Sequence, residues 1–415
     1  MASESIINLI IMSSNTCKII AISADTIEEL KSLSDEIKLS FKNKTFNLNN
    51  LSVDLLKIDS KYKYRCVAFV DNNVENISWF DNIDFSLDNN NIAFLFGGQG
   101  SLYYQLGYGL YTGIPFVKNQ IDACLDLIPI SYKEKFKEIL FSTSLKNELY
   151  TKLNHTYIFI IEYAIAKFLI EIGIIPNVLI GYSLGEFVAA AISEVLSLNE
   201  VLSIIIKREE LISTTLQGSM LSVPLSKKLV KPFLNDELFI AIDNGDSCVV
   251  SGYSHLVLTL HKRLSMEKIY SVFIDSMFPF HSECMKGITH DFRSFIENKK
   301  IEYCNFKYPY ISNVTGELLS LNEISQTDYW IKHLTQTVLF DKGLNEILKE
   351  NNTIFVEIGI GKNIGMLLSR YIPSMKEKYY PTIRYSQDQS NDVSILYKTI
   401  LKIHLSGFNV NLSKL

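Results

Sequence analysis

The stretch LIGYSLGEFVAAAI, residues 179–192, decides the fold prediction. Val178 to Ile180 predicts a short buried strand, and the apolar run Phe187 to Ile192 predicts the start of a helix. Between them lies a G-x-S-x-G sequence with Ser183 at its centre. In a strand-to-helix connection this pattern is typical of a nucleophile elbow, where glycines permit a sharp turn and the serine hydroxyl stays exposed. The stretch therefore predicts a serine nucleophile at the end of a strand.

Composition limits the classes of function. The 415 residues can form a large core and two or three domains. The composition, with 47% hydrophobic and 20% charged residues, is ordinary for a soluble globular protein. A net charge of -5 without a basic stripe argues against nucleic-acid binding. Six cysteines without a C-x-x-C pair predict reduced thiols, a cytoplasmic location and no metal site. Charges within Tyr157 to Ile175 favour a buried amphipathic helix over a membrane span.

The pattern around the elbow predicts an α/β fold. Strands and helices alternate from residue 92 to about residue 216, which is typical of a parallel sheet with crossover helices. Strand-like segments around one helix predict a small ferredoxin-like insertion. Before residue 92, an Asn/Asp-rich linker follows an independent α/β unit. The expected parts are an N-terminal domain (1–91), a large subdomain (92–218 and 281–378), a small subdomain (219–280) and a C-terminal segment (379–415).

A serine hydroxyl becomes a strong nucleophile when a base removes its proton, and histidine is the usual base near neutral pH. His281, in SMFPFHSECM, follows a predicted strand and precedes a polar break, which favours a strand edge facing a cleft. The alternative is an ordinary surface or half-buried histidine. His155 and His404 lie in helical patterns and are predicted to be structural.

The developing oxyanion also needs hydrogen-bond donors. In an elbow, the backbone N–H of the residue after the nucleophile supplies one, and here that residue is Leu184. Gln99 lies in the glycine turn FGGQGS at the end of a neighbouring predicted strand and is the candidate for the second donor.

Arg208 ends an apolar segment of the helix that begins with a capping box formed by Ser197 and Glu200. A solvent-exposed helical face is the ordinary explanation for such a charge. The alternative is that its guanidinium binds a substrate carboxylate through two parallel hydrogen bonds. A hydrolase of simple esters does not need this group, whereas an acyltransferase for a dicarboxylic acyl group does.

Over nearly its whole length the sequence resembles the malonyl-type acyltransferases of fatty-acid and polyketide synthesis. Six motifs carry the resemblance in the family's order, and Arg208 stands at the family's carboxylate-binding position. The motifs are FGGQGS, GYSLGE, FHS (280–282), SNVTG (312–316), YWIKHL with TVLF (329–340) and FVEIGIGK (355–362). The N-terminal domain resembles the linker between ketosynthase and acyltransferase domains, and the C-terminal segment resembles one that wraps back onto it.

The resemblance implies a two-step transfer without a cofactor or metal. Ser183 would attack a thioester donor, His281 would take its proton, Gln99 with the Leu184 amide would hold the oxyanion, and Arg208 would pair with the acyl carboxylate. The acceptor would be the phosphopantetheine thiol of an acyl carrier protein, and the donor a coenzyme A or carrier-protein thioester. A monomer that contacts neither membrane nor nucleic acid is expected.

The resemblance also implies the residues of the substrate pocket. Asn244 matches an asparagine near the substrate channel, and Phe280 would narrow the space beside C2 of the acyl group. His333 stands where many relatives have glutamine, near the carbonyl that orients the catalytic histidine. Tyr182 replaces the histidine that precedes the serine in the family and would lie beside the acyl pocket. The transferred group can therefore be malonyl or an amino-, hydroxy- or methoxymalonyl derivative.

Further departures are Gly97 for a family proline and Leu102 for a frequent glutamine. Without a ketosynthase or carrier domain, the sequence looks like a free-standing acyltransferase acting in trans, with an excised domain as the alternative. An editing hydrolase of the same fold is the main functional alternative, and Arg208 argues against it. A docking protein and an unrelated esterase are less consistent with these residues.

Overall fold

The described residues form three β-sheets, and the strands of the small subdomain are inserted in the chain between the second and third strands of the large parallel sheet. The structure is a computed structural model. It describes residues 8–13, 17–43, 64–71, 77–82, 91–99, 103, 105–142, 154–350, 352–359, 363–372, 375–385 and 391–415. Most of the Asn/Asp-rich linker lies outside the described residues, as do residues 100–102 at the end of the FGGQGS turn and residues 360–362 of the FVEIGIGK motif.

The N-terminal sheet is an antiparallel meander in the order β1-β2-β3-β4. Its strands are β1 (Asn8–Ser13), β2 (Cys17–Ala24), β3 (Tyr64–Asp71) and β4 (Ile77–Asn82). Helix α1 (Ile27–Lys42) packs against β2 and β3. The described strands and helix make this region an α/β unit.

The large sheet is parallel throughout, in the order β11-β6-β5-β12-β13. The strands are β5 (Asn91–Phe96), β6 (Val178–Gly181), β11 (Tyr310–Ile311), β12 (Thr353–Ile358) and β13 (Tyr379–Pro381). Because β5 and β6 are parallel neighbours, the turn after each strand lies at the same edge of the sheet. This brings the segments that carry Gln99 and Ser183 together.

Helices pack against this sheet, and the main hydrophobic core consists of side chains from the strands and from these helices. Those before the insertion are α2 (Tyr108–Gly113), α3 (Pro115–Asp126), α4 (Ile130–Phe141), α5 (His155–Glu171), α6 (Gly185–Ile192) and α7 (Leu198–Ser213). The predicted amphipathic helix, α5, is buried around most of its surface, Glu162 included. Among the described residues, no helix is both long and apolar enough to cross a membrane.

The small subdomain has its own sheet and its own hydrophobic core. It comprises β7 (Gly218–Val223), α8 (Lys227–Val230), a 3-10 turn (Lys231–Phe233), β8 (Leu238–Asp243), β9 (Cys248–Tyr253), α9 (Ser254–Met266) and β10 (Val272–Ile274). The strands are antiparallel and lie side by side in the order β10-β7-β9-β8. Along the chain, a helix follows the first strand, β7, and the third strand, β9. This is the ferredoxin-like arrangement, so that part of the fold prediction is confirmed.

The remaining helices return to the large subdomain and then to the N-terminal sheet. They are a 3-10 helix (Glu283–Ile288), α10 (Thr289–Lys299), α11 (Leu321–Ile324), α12 (Asp328–Thr335), α13 (Phe340–Leu348), α14 (Asn363–Leu368), α15 (Met375–Lys378), α16 (Asp392–Leu405) and a 3-10 turn (Leu412–Lys414). Helix α16 contacts β3, β4 and β13. The expected C-terminal segment began at residue 379, but β13 pairs in parallel with β12, so residues 379–381 belong to the large sheet.

Candidate active site

Ser183 occupies a sharp turn between β6 and α6, as the G-x-S-x-G pattern predicts. Its φ is +54°, in the left-handed region that L-residues rarely adopt. A Cβ at Gly181 would overlap the backbone of Gly185 and Glu186, and one at Gly185 would lie 2.6 Å from the Gly97 oxygen. Both glycines are therefore required because the chain passes too close to itself for a side chain.

His281 lies within hydrogen-bond distance of the candidate nucleophile. Its Nε2 is 2.5 Å from Ser183 Oγ, and its φ of +55° is also in the left-handed region. The backbone carbonyls of His333 and Gln336 favour the charged ring, but neither reaches hydrogen-bond geometry with Nδ1. No acidic side chain among the described residues bonds to His281. The arrangement is thus a serine–histidine pair on two strained turns.

Asn313 braces both sides of the elbow, a role that the sequence analysis missed. Its Oδ1 accepts from Ser183 N at 2.8 Å, and its Nδ2 donates to Gly181 O at 2.7 Å. Its own backbone N–H donates to Glu186 Oε2 at 2.7 Å. The SNVTG motif pointed to this segment without indicating the contact, because Asn313 is 130 residues from Ser183.

His333 lies behind the elbow and not in the substrate pocket where the resemblance placed it. The side chain of His333 is fully buried. Its Nε2 donates to Ser183 O at 3.2 Å and lies 3.6 Å from Glu186 Oε2. Burial raises the pKa of Glu186 to about 8, and this carboxyl accepts from Tyr329. His333 extends from α12 toward the elbow backbone, so its contact is with the peptide of Ser183.

The two candidate oxyanion groups flank the nucleophile. Leu184 is the N-cap residue of α6, where the first N–H groups of a helix lack partners within it. Gln99 follows β5, and its Oε1 accepts from His155 Nε2 at 2.9 Å. Both residues line the same cavity as Ser183.

Arg208 is buried, with 2% of its surface exposed, which excludes the solvent-exposed explanation. Its Nη1 donates to His155 Nδ1 at 2.9 Å, and its Nε has no hydrogen-bond partner among the described residues. The rings of Phe187 and Phe280 lie 5.7 and 5.6 Å from the guanidinium carbon. A buried cation with a free donor beside a cavity is arranged to receive an anion.

Burial and the Arg208 charge keep the nearby histidines neutral. Burial first, and Arg208 second, lowers the pKa of His281 to about 3. Burial and Arg208 also hold the pKa of His155 well below its usual value, and burial, His281 and Arg208 do so for His333. Burial lowers the pKa of Arg208 itself to about 10, so the guanidinium stays charged at neutral pH. A neutral His281 can accept a proton from Ser183.

A cavity of about 410 Å³ connects these groups, a size typical of small-molecule sites. The small subdomain supplies the opposite wall, including Ser222 and Val249. Asn244 Nδ2 donates to Tyr182 OH at 3.3 Å across the two walls. Eight of the nine predicted site residues line the cavity: Gln99, Tyr182, Ser183, Leu184, Arg208, Asn244, Phe280 and His281.

His155 also lines this cavity, which corrects its assignment as a structural residue. It bridges Arg208 and Gln99 through its two ring nitrogens. Local sequence could not indicate this, because the segment after it is almost uniformly apolar and its partners are 53 and 56 residues away. The described residues contain no cluster of three or more potential metal ligands.

Comparison with known proteins gives a consistent family. A family model described as "Acyl transferase domain" matches residues 93–410. The chain is 28% identical over 295 residues to the polyketide biosynthesis acyltransferase homolog BaeD of Bacillus velezensis, covering 69% of this chain and 89% of BaeD. It is 26% identical over 337 residues to the non-reducing polyketide synthase rdc1 of Metacordyceps chlamydosporia, covering 77% of this chain. The match spans 16% of that much longer relative.

Among solved structures, the acyl transferase domain of ZmaA superimposes with a TM-score of 0.84 and 27% identity, covering 97% of each chain. The similarity therefore includes the N-terminal sheet and the C-terminal helix as well as the catalytic region. It confirms the predicted α/β fold with its large and small subdomains.

Proposed function

The chain belongs to the acyl transferase domain family and is an acyltransferase of the polyketide synthase type, and we propose that it transfers a malonyl-type group from a thioester donor to an acyl carrier protein. The acyl group would pass through an ester on Ser183. The final acceptor would be the phosphopantetheine thiol of the carrier protein. We further propose that the chain acts in trans on polyketide assembly lines.

In the first half-reaction, Ser183 Oγ attacks the thioester carbonyl carbon while its proton moves to His281 Nε2. The 2.5 Å contact between these atoms supports this proton transfer. The Leu184 N–H and Gln99 stabilise the tetrahedral oxyanion. As the intermediate collapses, the carbon–sulfur bond breaks, and the leaving thiolate takes the proton from His281.

In the second half-reaction, the carrier-protein thiol gives its proton to His281 and its sulfur attacks the acyl-serine carbonyl. Collapse breaks the ester bond, and Ser183 Oγ regains the proton from His281. Atoms and charges balance over the cycle, and no further reactant is required.

The observation that carries the malonyl assignment is Arg208, a buried cation that lines the cavity and whose Nε has no hydrogen-bond partner among the described residues. An acetyl group would leave this cation without a counter-charge, whereas the free carboxylate of a malonyl group would supply one. The bound carboxylate would also offset the field that lowers the pKa of His281, making that ring a better base for this class of substrate.

Two aromatic residues are proposed to limit the substituent at C2. Phe280 is 5% exposed and its ring lies 5.4 Å from that of His155, so it has little room to move. Tyr182 is held by Asn244 and packs edge-on against Phe340 at 4.7 Å. These contacts favour malonyl or a small polar derivative over a larger branched unit.

The test is intact-mass spectrometry after incubation with malonyl-CoA. The unaltered chain should gain one malonyl group on Ser183 and lose it to an added phosphopantetheinylated carrier protein. Ser183→Ala should gain none. A competition among malonyl, methylmalonyl, acetyl and carrier-bound extender donors then identifies the preferred donor.

The same experiment distinguishes transfer from editing hydrolysis. In the transferase, the malonyl-serine persists until carrier protein is added. If the ester instead forms from acetyl donors and is lost to water as fast without carrier protein, the hydrolase alternative is correct. An unchanged mass with every malonyl donor would contradict the proposal.

A further inference from the structure

His155 is held at its ring and at its backbone by two consecutive residues of α7. Arg208 Nη1 donates to its Nδ1 at 2.9 Å, and Glu209 Oε1 accepts from its backbone N at 2.6 Å. Glu209 Oε2 accepts from Thr156 Oγ1, also at 2.6 Å. Because His155 is the first residue of α5, this carboxylate caps the helix that carries it. The backbone of His155 is therefore held in place as well as its ring.

The hydrogen bonds determine which ring nitrogen carries the proton. A guanidinium can only donate, so Nδ1 of His155 must accept from Arg208. In the neutral ring the proton then lies on Nε2, which donates to Gln99 Oε1 at 2.9 Å. This fixes the amide of Gln99 with its oxygen toward His155 and its NH2 group available for other acceptors. One imidazole thus connects the carboxylate-binding arginine to the turn that carries an oxyanion group.

The neutrality of this partner matters for ligand binding. A carboxylate bound to Arg208 would neutralise the guanidinium and occupy the donors needed for a substrate anion. Glu209 is adjacent in sequence, yet both its oxygens are taken by His155 N and Thr156 Oγ1. Arg208, which lines the cavity, is thereby oriented by an uncharged acceptor, and its Nε has no hydrogen-bond partner among the described residues.

We propose that His155 is a positioning residue that aligns Arg208 for the substrate carboxylate and couples it to the Gln99 turn without reducing the arginine's charge. This inference rests on the proposed function of the same cavity. It assigns part of the discrimination between carboxylated and uncarboxylated acyl groups to a side chain that need not touch either one.

The test compares His155→Leu with His155→Gln. Leucine removes both hydrogen bonds, so kcat/KM for malonyl transfer should fall about 10- to 100-fold. The malonyl-to-acetyl ratio of kcat/KM should fall as well, because only malonyl uses Arg208. Glutamine can accept from Arg208 through Oε1 and donate to Gln99 through Nε2, so His155→Gln should recover most of the rate and the ratio.

His404→Leu is the matched control. His404 is likewise a buried imidazole beside a buried arginine, Arg65, but it lies between α16 and the N-terminal sheet. The His404→Leu substitution should lower the free energy of unfolding, while the malonyl-to-acetyl ratio of kcat/KM should equal that of the unaltered chain. A ratio unchanged in His155→Leu, or lowered equally in His155→Leu and His155→Gln, would overturn the positioning role.

A second measurement needs no donor and no leucine variant. With 15N-labelled histidine in the full chain, the His155 signals are those absent from His155→Gln. Nδ1 should be unprotonated and hydrogen-bonded, and Nε2 should carry the proton at neutral pH. A proton on Nδ1 would overturn the inference even if Ser183 is malonylated. Failure of the unaltered chain to be malonylated, with the expected tautomer present, would contradict only the proposed function.

Discussion

Two arginines of this chain are equally buried and each lies beside a buried histidine, yet their other contacts differ. Arg65 and Arg208 are both 2% exposed. Arg65 Nη1 lies 3.5 Å from His404 Nδ1 and also donates to the backbone oxygens of His404 and Phe408, at 3.1 and 3.3 Å. Arg208 Nη1 donates to His155, while its Nε has no partner among the residues described.

The difference separates a structural cation from one arranged for a ligand. Burying a guanidinium costs free energy in both places, and hydrogen bonds must offset that cost. Around Arg65 the acceptors include backbone carbonyls of α16 and of the segment that follows it, and these bonds join that part of the chain to the N-terminal sheet. Around Arg208 the described acceptor is one neutral ring, beside a cavity that also contains Ser183 and His281. Burial alone therefore does not indicate function, whereas a buried cation that lines a cavity and keeps an unused donor does.

The largest expected effect is that of Arg208→Ala on malonyl transfer. Removing the cation takes away a charged hydrogen bond to the acyl carboxylate, so kcat/KM should fall about 10²- to 10³-fold. Acetyl transfer does not use that bond and should persist or increase. Initial rates with both donors check this. Malonyl and acetyl rates that both equal those of the unaltered chain would show that Arg208 resembles Arg65 after all.

The opposite change, Arg65→Ala, should affect stability and not catalysis. It takes this donor away from the buried carbonyl of His404 and the half-buried carbonyl of Phe408, so the free energy of unfolding should fall by about 1–3 kcal/mol. Urea unfolding measures this loss. The malonyl rate per folded molecule should match that of the unaltered chain. A large loss of rate in fully folded protein would show that the N-terminal sheet contributes to the cavity.

Much of the fold could be predicted because it depends on local patterns. The elbow glycines, the alternation of strands with helices and the strand-rich insertion each reflect short-range geometry or periodicity. The position of β13 could not be predicted this way. Its three residues form the edge strand of the large sheet by pairing in parallel with β12. The sequence contains no local pattern that indicates this pairing.

The site was predictable where a residue's role depends on its own type and on its neighbours in sequence. Ser183, in its elbow, is the clearest case. His155, Asn313 and His333 differ, because their roles arise from contacts across 53, 130 and 150 residues. Each uses its polar atoms on the backbone or on another side chain of the site, and such contacts have no local pattern.

The smallest expected effect is on the pH dependence of stability. Burial, with a nearby arginine as a further cause, lowers the pKa of His404 beside Arg65 and of His155, His281 and His333 near Arg208. Above about pH 6.5 the imidazoles are neutral in the folded and unfolded states, so the full free energy of unfolding is present. As the pH falls below that value, the unfolded chain binds protons and the folded chain does not. Stability then decreases, by at most about 1.4 kcal/mol per pH unit for each histidine.

The two arginine substitutions should change this slope to different extents. Arg208→Ala removes one cause of a lowered pKa from three histidines, whereas Arg65→Ala removes it from one. Urea unfolding at about pH 6.5 and about pH 5.5, which bracket the onset of imidazole protonation in the unfolded chain, should therefore give a shallower loss of stability in Arg208→Ala than in Arg65→Ala. The difference should be modest, because burial is the larger cause at all four histidines and persists in both variants. Equal slopes would mean that burial alone suffices to keep these imidazoles neutral in the folded chain over this pH range.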